Sequence, residues 1–224
     1  SGSLPDTYFY WGTIRTGGLA LRWFKDNVCH KANDAVYYND LNDRAAQVPV
    51  GSNGVLFLPY LTGGQDINNK KCGCFLGLTL DDDQSVMWRS VLESIGFDYM
   101  EICDLYRSAG VDLQRLTVAE GGRSSLWNQI KSDMLDAEVV RYKNAGGAVV
   151  TNCIFAAYAV KDVPEIIPEL SKILQIDQSY QPRAENTKLY RDLLNLQRKL
   201  IDVDMAPAFA TLWNMKKILP QKQN

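Results

Sequence analysis

Leu116-Thr-Val-Ala-Glu-Gly-Gly-Arg-Ser-Ser-Leu-Trp-Asn-Gln-Ile-Lys-Ser-Asp133 holds a short strand pattern, a two-glycine turn and a helix opened by hydroxyl residues. Leu116 and Val118 alternate with Arg115 and Thr117, the two-residue period of a strand. Gly121 and Gly122 reach backbone angles closed to other residues and let a ligand approach the main chain. Ser124 or Ser125 can cap the helix, after which Leu126, Ile130 and Met134 form one apolar stripe. A strand–glycine–helix unit aims unpaired N–H groups at whatever sits above the turn, and phosphate is the usual occupant. The same residues also suit an ordinary tight turn of an α/β domain.

The 224 residues fit one large domain, or one domain with a helical appendage. At 46% hydrophobic and 22% charged residues the chain can bury a sizeable core. Lys and Arg number 24 against 26 Asp and Glu, a net charge of −2, which gives no electrostatic case for nucleic acid or a membrane surface. Five cysteines (Cys29, Cys72, Cys74, Cys103 and Cys153) lie in apolar segments and read as buried free thiols of a reducing, cytoplasmic setting. No apolar run approaches the ~20 residues of a membrane helix. Residues 1–6 read as an added leader or linker.

Outward from the central stretch, Thr7–Ile14 is aromatic and β-branched, a strand candidate, and Leu19–Asp26 is a short helix. Asp40–Gln47 suggests a further helical turn or two. Val55–Pro59 and Cys72–Thr79 read as extended segments around a polar loop. Asp81, Asp82 and Asp83 complement a helix dipole and announce a long helix. Met87, Val91, Ile95, Tyr99, Ile102 and Tyr106 form its core stripe, and Glu93 is assigned to its solvated face. Glu138–Tyr142 reads as an edge-like strand, and Ala148–Val160 as a small-residue helix packed beside the glycine turn. Asp162–Leu174 is another helix and Ile176–Asn186 a linker. Leu189, Leu193, Leu196 and Leu200 define an amphipathic helix, and Phe209, Leu212, Trp213 and Ile218 a last one. Alternating helices and strands make the class α/β.

Several sites are excluded. There is no Gly-x-x-x-x-Gly-Lys-Ser/Thr loop, no Gly-x-Gly-x-x-Gly fingerprint and no Gly-x-Ser-x-Gly elbow. His30, the single histidine, sits beside Cys29 and reads as a surface or capping residue rather than half of a catalytic pair.

The chain resembles the FGGY carbohydrate kinases, in particular the xylulokinase-like members, from about Thr7 to Leu200. Gly17–Asp26 is similar to the family helix ahead of its variable region. Val50-Gly-Ser-Asn-Gly-Val-Leu-Phe-Leu-Pro-Tyr-Leu61 resembles "PaGadGllflPyl". Gly73–Leu78 resembles "GxxxGL", and Trp88–Phe97 resembles "RAvlEGvaf". Ala119–Asp133 is similar to the adenosine motif "GGGARSxxWxQixAD", and Tyr180-Gln-Pro182 to the "Y.P" tail. The resemblance implies an α/β, actin-like (ribonuclease H-like) ATPase domain at residues 7–175, the C-terminal half of a sugar kinase, with residues 176–224 as linker and C-terminal helices.

It also implies that Gly121 and Gly122 lie against the phosphates of ATP or ADP, with Ser124 and Ser125 at the helix opening facing the adenosine. Mg²⁺, the catalytic aspartate and the sugar site belong to a missing N-terminal kinase domain. The chain itself then carries no catalytic residue and no metal ligand. A homo-oligomer is compatible with this reading. Three positions depart from the family pattern: Glu120 stands for a glycine, Gly63–Ile67 lacks a Glu-Arg pair, and Thr151-Asn-Cys153 replaces "GAA". The expected parent activity is ATP-dependent phosphorylation of a ketopentose such as xylulose. The alternatives are another sugar or polyol, or a degenerate regulatory homologue.

Overall fold

A computed structural model describes residues 8–14, 16–62, 70–119, 124–143 and 147–219. The fold is assembled around one long helix, α3 (Gln84–Ser108). Asp83 caps it, its carboxylate accepting from the backbone N–H groups of Ser85 at 2.8 Å and Val86 at 3.3 Å, as the three preceding acids suggest. The expected stripe is too narrow. From Ser85 to Phe97 the helix is buried almost all round, Met87 being the one half-buried position, because elements close on it from every side.

The first helix, α1 (Gly17–Trp23), continues through a wide turn at Phe24–Val28 and buries Ala20 and Phe24 rather than Leu19. Next comes α2 (Tyr37–Ala45), whose Asn42 accepts from the Trp88 indole N–H at 2.9 Å. Strands β1 (Leu56–Leu58) and β2 (Cys74–Leu76) pair antiparallel, with Phe57 opposite Phe75. Trp88, Phe24, Phe57, Leu92, Ile95 and Met134 are among the side chains of the main core.

The second sheet has the order β3-β4-β5 among the described residues. Strand β3 (Arg115–Val118) lies parallel to β4 (Glu138–Tyr142), with α4 (Ser125–Leu135) as the crossover. Glu138–Tyr142 is therefore the middle strand and not an edge. Val139 and Val140, on opposite faces, are both buried, as a strand covered on two sides requires. The segment expected as a linker supplies the other neighbour. Strand β5 (Ile176–Tyr180) pairs antiparallel with β4, Val140 facing Ser179. Polar contacts lock it: Arg141 binds Asp177, and Ser179 Oγ donates to Glu138 at 2.6 Å.

Residues 8–14, read as a strand, are irregular and have no ladder partner among the described residues. Tyr8, Phe9, Tyr10 and Trp11 stay 59–84% exposed, and the Tyr10 ring meets Tyr106 of α3. Strand propensity alone does not hold a segment flat without an edge to pair with.

Helix α5 (Gly147–Ala159) contacts α6 (Ile166–Ile173) and is mostly exposed, with Ile154 its buried anchor. Helix α7 (Ala184–Lys199) buries Tyr190, Leu194 and Gln197, with Ile201 beyond it. That face is one residue round from the leucine stripe, and Leu189 and Leu196 are exposed. Helix α8 (Ala206–Ile218) docks through Phe209 against Leu58 and Ile201, leaving Trp213 and Ile218 outside. All five cysteines are free; Cys29 and Cys103 are buried, but Cys153 is exposed. His30 is exposed. No helix among the described residues is long and apolar enough to cross a membrane.

Glu93 corrects the sequence reading most. It is 3% exposed and collects four donors: Ser52 Oγ at 2.7 Å, Gly51 N at 3.1 Å, Arg89 Nε at 2.9 Å and Tyr190 Oη at 2.8 Å. Burial, then the Glu93 charge, pushes the Tyr190 hydroxyl well above the ordinary phenol range, so Tyr190 acts as a donor. The carboxylate is a buried hub joining α3, α7 and the turn before β1.

Candidate nucleotide-phosphate site

Parallel strands end where a following helix begins, and that end is where open α/β sheets bind ligands. Here β3 ends at Val118 and α4 opens at Ser125. Ser124 is the N-cap, its hydroxyl accepting from Trp127 N at 3.2 Å while its carbonyl takes Asn128 N at 3.0 Å. The first four N–H groups of a helix have no intrahelical partner, so one of α4's is taken by its cap. Replacing Ser124 by Ala should cost about 1 kcal/mol, read as a lower urea midpoint with an unchanged slope. Ser125 turns elsewhere, its hydroxyl bonding Tyr180 Oη at 3.1 Å, which ties the helix opening to the end of β5. Gly121 and Gly122, with Glu120, lie outside the described residues. So does Gly63–Ile67. Thr151-Asn-Cys153 lies on α5.

What holds α4 in place is a residue that the sequence placed in the motif without a role. Asp133 is 1% exposed and accepts from Arg183 Nη2 at 2.6 Å, Arg183 N at 2.9 Å, Asn186 Nδ2 at 2.8 Å and Gln129 Nε2 at 2.9 Å. The hydrogen-bonded carboxylate raises the guanidinium pKa of Arg183. The acid in the last turn of α4 therefore clamps the segment between β5 and α7. The signal was a charged residue on the apolar side of the Leu126–Ile130–Met134 helix.

A cleft of about 1810 Å³ opens beside β3. Leu116 and Val118 form one wall, Leu92 and Ile102 of α3 lie across it, and Trp127 and Lys131 of α4 line it. Lys131 Nζ lies 3.7 Å from the centroid of the Trp127 ring, a cation–π contact. Burial lowers its pKa to about 8. No group of three or more His, Cys, Asp or Glu suited to a metal occurs among the described residues.

Residues 1–160 match the model of the C-terminal domain of the FGGY family of carbohydrate kinases. The chain belongs to that family. The FGGY domain is 27% identical over 191 residues to the xylulose kinase of Staphylococcus epidermidis, covering 84% of this chain and 38% of that protein. It is 28% identical over 203 residues to the gluconokinase of Bacillus licheniformis, covering 84% and 39%. The crystal structure of xylulose kinase from Rhodospirillum rubrum matches with a TM-score of 0.71 and 26% identity, over 86% of this chain and 39% of that one. The chain thus spans about two fifths of the length of these relatives. The fold is the actin-like, ribonuclease H-like fold of these kinases, in its C-terminal part.

Proposed function

We propose that this chain is the nucleotide-side part of an ATP-dependent, cytoplasmic sugar kinase, with a ketopentose such as xylulose as the first substrate to test. The observation that carries the reading is that strand β3, parallel to β4, ends at Val118 a few residues ahead of the Ser124-capped α4, with Gly121 and Gly122 between them in the sequence. A helix N-terminus supplies N–H groups and a positive dipole end to phosphate. Gly121 and Gly122 let the backbone approach the phosphates, and Ser124 and Ser125 shape the helix opening beneath the adenosine. Asp133, through Arg183 and Asn186, keeps α4 at the orientation this needs.

Bound ATP with Mg²⁺ supplies the transferable phosphoryl group and charge neutralisation. In this reading the phosphates and the rest of a longer polypeptide hold the ion. The base that takes the sugar proton and the sugar pocket belong to that other part as well. This chain contributes nucleotide positioning to the reaction. The nucleotide-side domain expected at residues 7–175 takes in β5 and α7 as well in this reading, since β5 pairs with β4 and Tyr190 and Leu194 enter the main core.

A second substrate reading is gluconate, favoured by the likeness to the gluconokinase of Bacillus licheniformis. The longer kinase, given ATP with xylulose, gluconate or glycerol in separate reactions, should release ADP with the highest kcat/KM on xylulose. A higher value on gluconate moves the substrate to the second reading. No turnover on any sugar or polyol tested removes the kinase reading in favour of a regulatory homologue.

A further inference from the structure

Beyond α7 the chain is held only lightly to the body. A wide turn, Leu200–Asp204, joins α7 to α8. Ile201 and Phe209 pack with Leu58 in a small apolar cluster, and none of residues 210–219 is buried. Among the described residues a single ion pair ties this C-terminal segment down: Lys71 Nζ, just ahead of β2, meets Asp202 at 2.7 Å. Lys71 is largely buried beside the Tyr60 ring, 5.3 Å from its centroid, whereas Asp202 is mostly exposed.

A second carboxylate lies within electrostatic reach of the same lysine. Asp98, on α3, is half-buried and has no hydrogen bond or ion pair among the described residues. The groups that face it are Tyr99 and Glu101 on its own helix, and Tyr60 and Lys71 from the β1–β2 connection; Asp202 and Cys74 act on that Tyr60 as well. Arg198 of α7 takes Glu101 at 3.1 Å, so the cation open to Asp98 is the one that Asp202 holds. Burial first, then the Glu101 charge, pushes the Asp98 carboxyl up to about 7, against the pull of Lys71. It therefore changes charge near neutrality. A charge shielded from water attracts a cation more strongly than an exposed one does, so ionised Asp98 outcompetes Asp202 for Lys71.

We propose that Asp98 is a proton-operated latch for the C-terminal segment, exchanging Lys71 with Asp202. Neutral Asp98 leaves Lys71 to Asp202, and the Leu200–Asp204 turn and α8 stay docked. Ionised Asp98 draws Lys71 away, and Asp202 and α8 come loose. The device stands apart from the nucleotide and sugar readings. In the released form Lys71 stabilises the Asp98 charge, so the docked form binds the proton more tightly. Docking is therefore strongest in acid, weakens as pH rises toward 7, and is constant above that. One proton gives at most about a tenfold change per pH unit across that window.

Amide hydrogen exchange of the longer kinase is measured at about pH 5.5 and about pH 8, each rate divided by that of the unstructured amide at the same pH. Protection of α8 should fall about tenfold between the two, with that of α4 unchanged. In Asp98→Asn, which keeps the shape of the neutral acid, α8 should stay protected at both. In Asp202→Asn, with no bridge left to lose, it should be poorly protected at both. Equal protection of α8 at the two pH values in the unsubstituted kinase overturns the latch, and so does a fall that persists in Asp98→Asn. Should Asp98→Asn not fold, Asp202→Asn decides: a pH-dependent fall that survives there shows that the Lys71–Asp202 bridge is not what the proton releases.

Discussion

Glu93→Ala should destabilise the protein by about 3–5 kcal/mol, the cost of breaking a buried ion pair by removing one partner. The substitution leaves Arg89, itself buried, without its carboxylate, and removes the acceptor of Ser52, Gly51 and Tyr190 at once. Ala45 O at 3.2 Å and Tyr190 Oη at 3.4 Å remain for the guanidinium, but neither is charged. For a protein of this size the loss corresponds to a fall in Tm of roughly 6–20 °C. Glu93→Gln should lose nearly as much, because its NH₂ group sets donor against donor at Arg89. The double variant Glu93→Met with Arg89→Met separates the causes: without a stranded charge most of the stability should return. If it is as unstable as Glu93→Ala, the cost lies in packing volume and the ion-pair account is wrong.

Asp133→Ala ranks second, with an expected loss of about 2–3 kcal/mol. Its carboxylate holds four donors on α4 and on the segment leading into α7. Arg183 is half exposed and can turn to water, so its charge is not stranded as that of Arg89 would be. What does not recover is the clamp on residues 183–186. Proteolysis should therefore cut between β5 and α7 faster in Asp133→Ala than in Glu93→Ala under equally stabilising conditions, since the local opening is exposed directly. Equal cleavage rates would show that Asp133 supports the fold generally and not that junction.

Strand β3 and helix α4 were legible because their signals are local: a period of two, a serine cap and a period of four. Asp83 ahead of α3 was legible for the same reason. Readings failed where a distant partner decides the outcome. Ile176–Tyr180 carries Asp177, Gln178 and Ser179 and does not look like a strand, yet Asp177 bonds Arg141 and Ser179 bonds Glu138 across the ladder. Its presence turns β4 from an edge into a middle strand, which the adjacent valines Val139 and Val140 already hinted. In α7 the leucines mark a face one residue away from the buried one, because Tyr190 reaches Glu93 and brings Gln197 inward with it.

Glu93 was assigned to solvent by its charge alone. The available signal was Arg89 four residues earlier, an opposite charge in a stretch, Ser85 to Phe97, that holds no other charged residue. Residues 8–14 show the converse, a segment of strand composition with no ladder partner among the described residues. Of the expected site residues, Ser124 caps α4 as its type suggests, and Ser125 is directed to Tyr180, which only the folded sheet could bring there.

The direct test is calorimetric titration of the longer kinase with ADP, before and after Gly121→Val, with circular dichroism to verify that the fold is kept. A valine side chain at the turn closes the approach of the backbone to phosphate. ADP affinity should fall at least tenfold, ~1.4 kcal/mol, with the far-ultraviolet spectrum unchanged. An affinity equal to that of the unsubstituted protein would place the phosphates somewhere other than the β3–α4 turn.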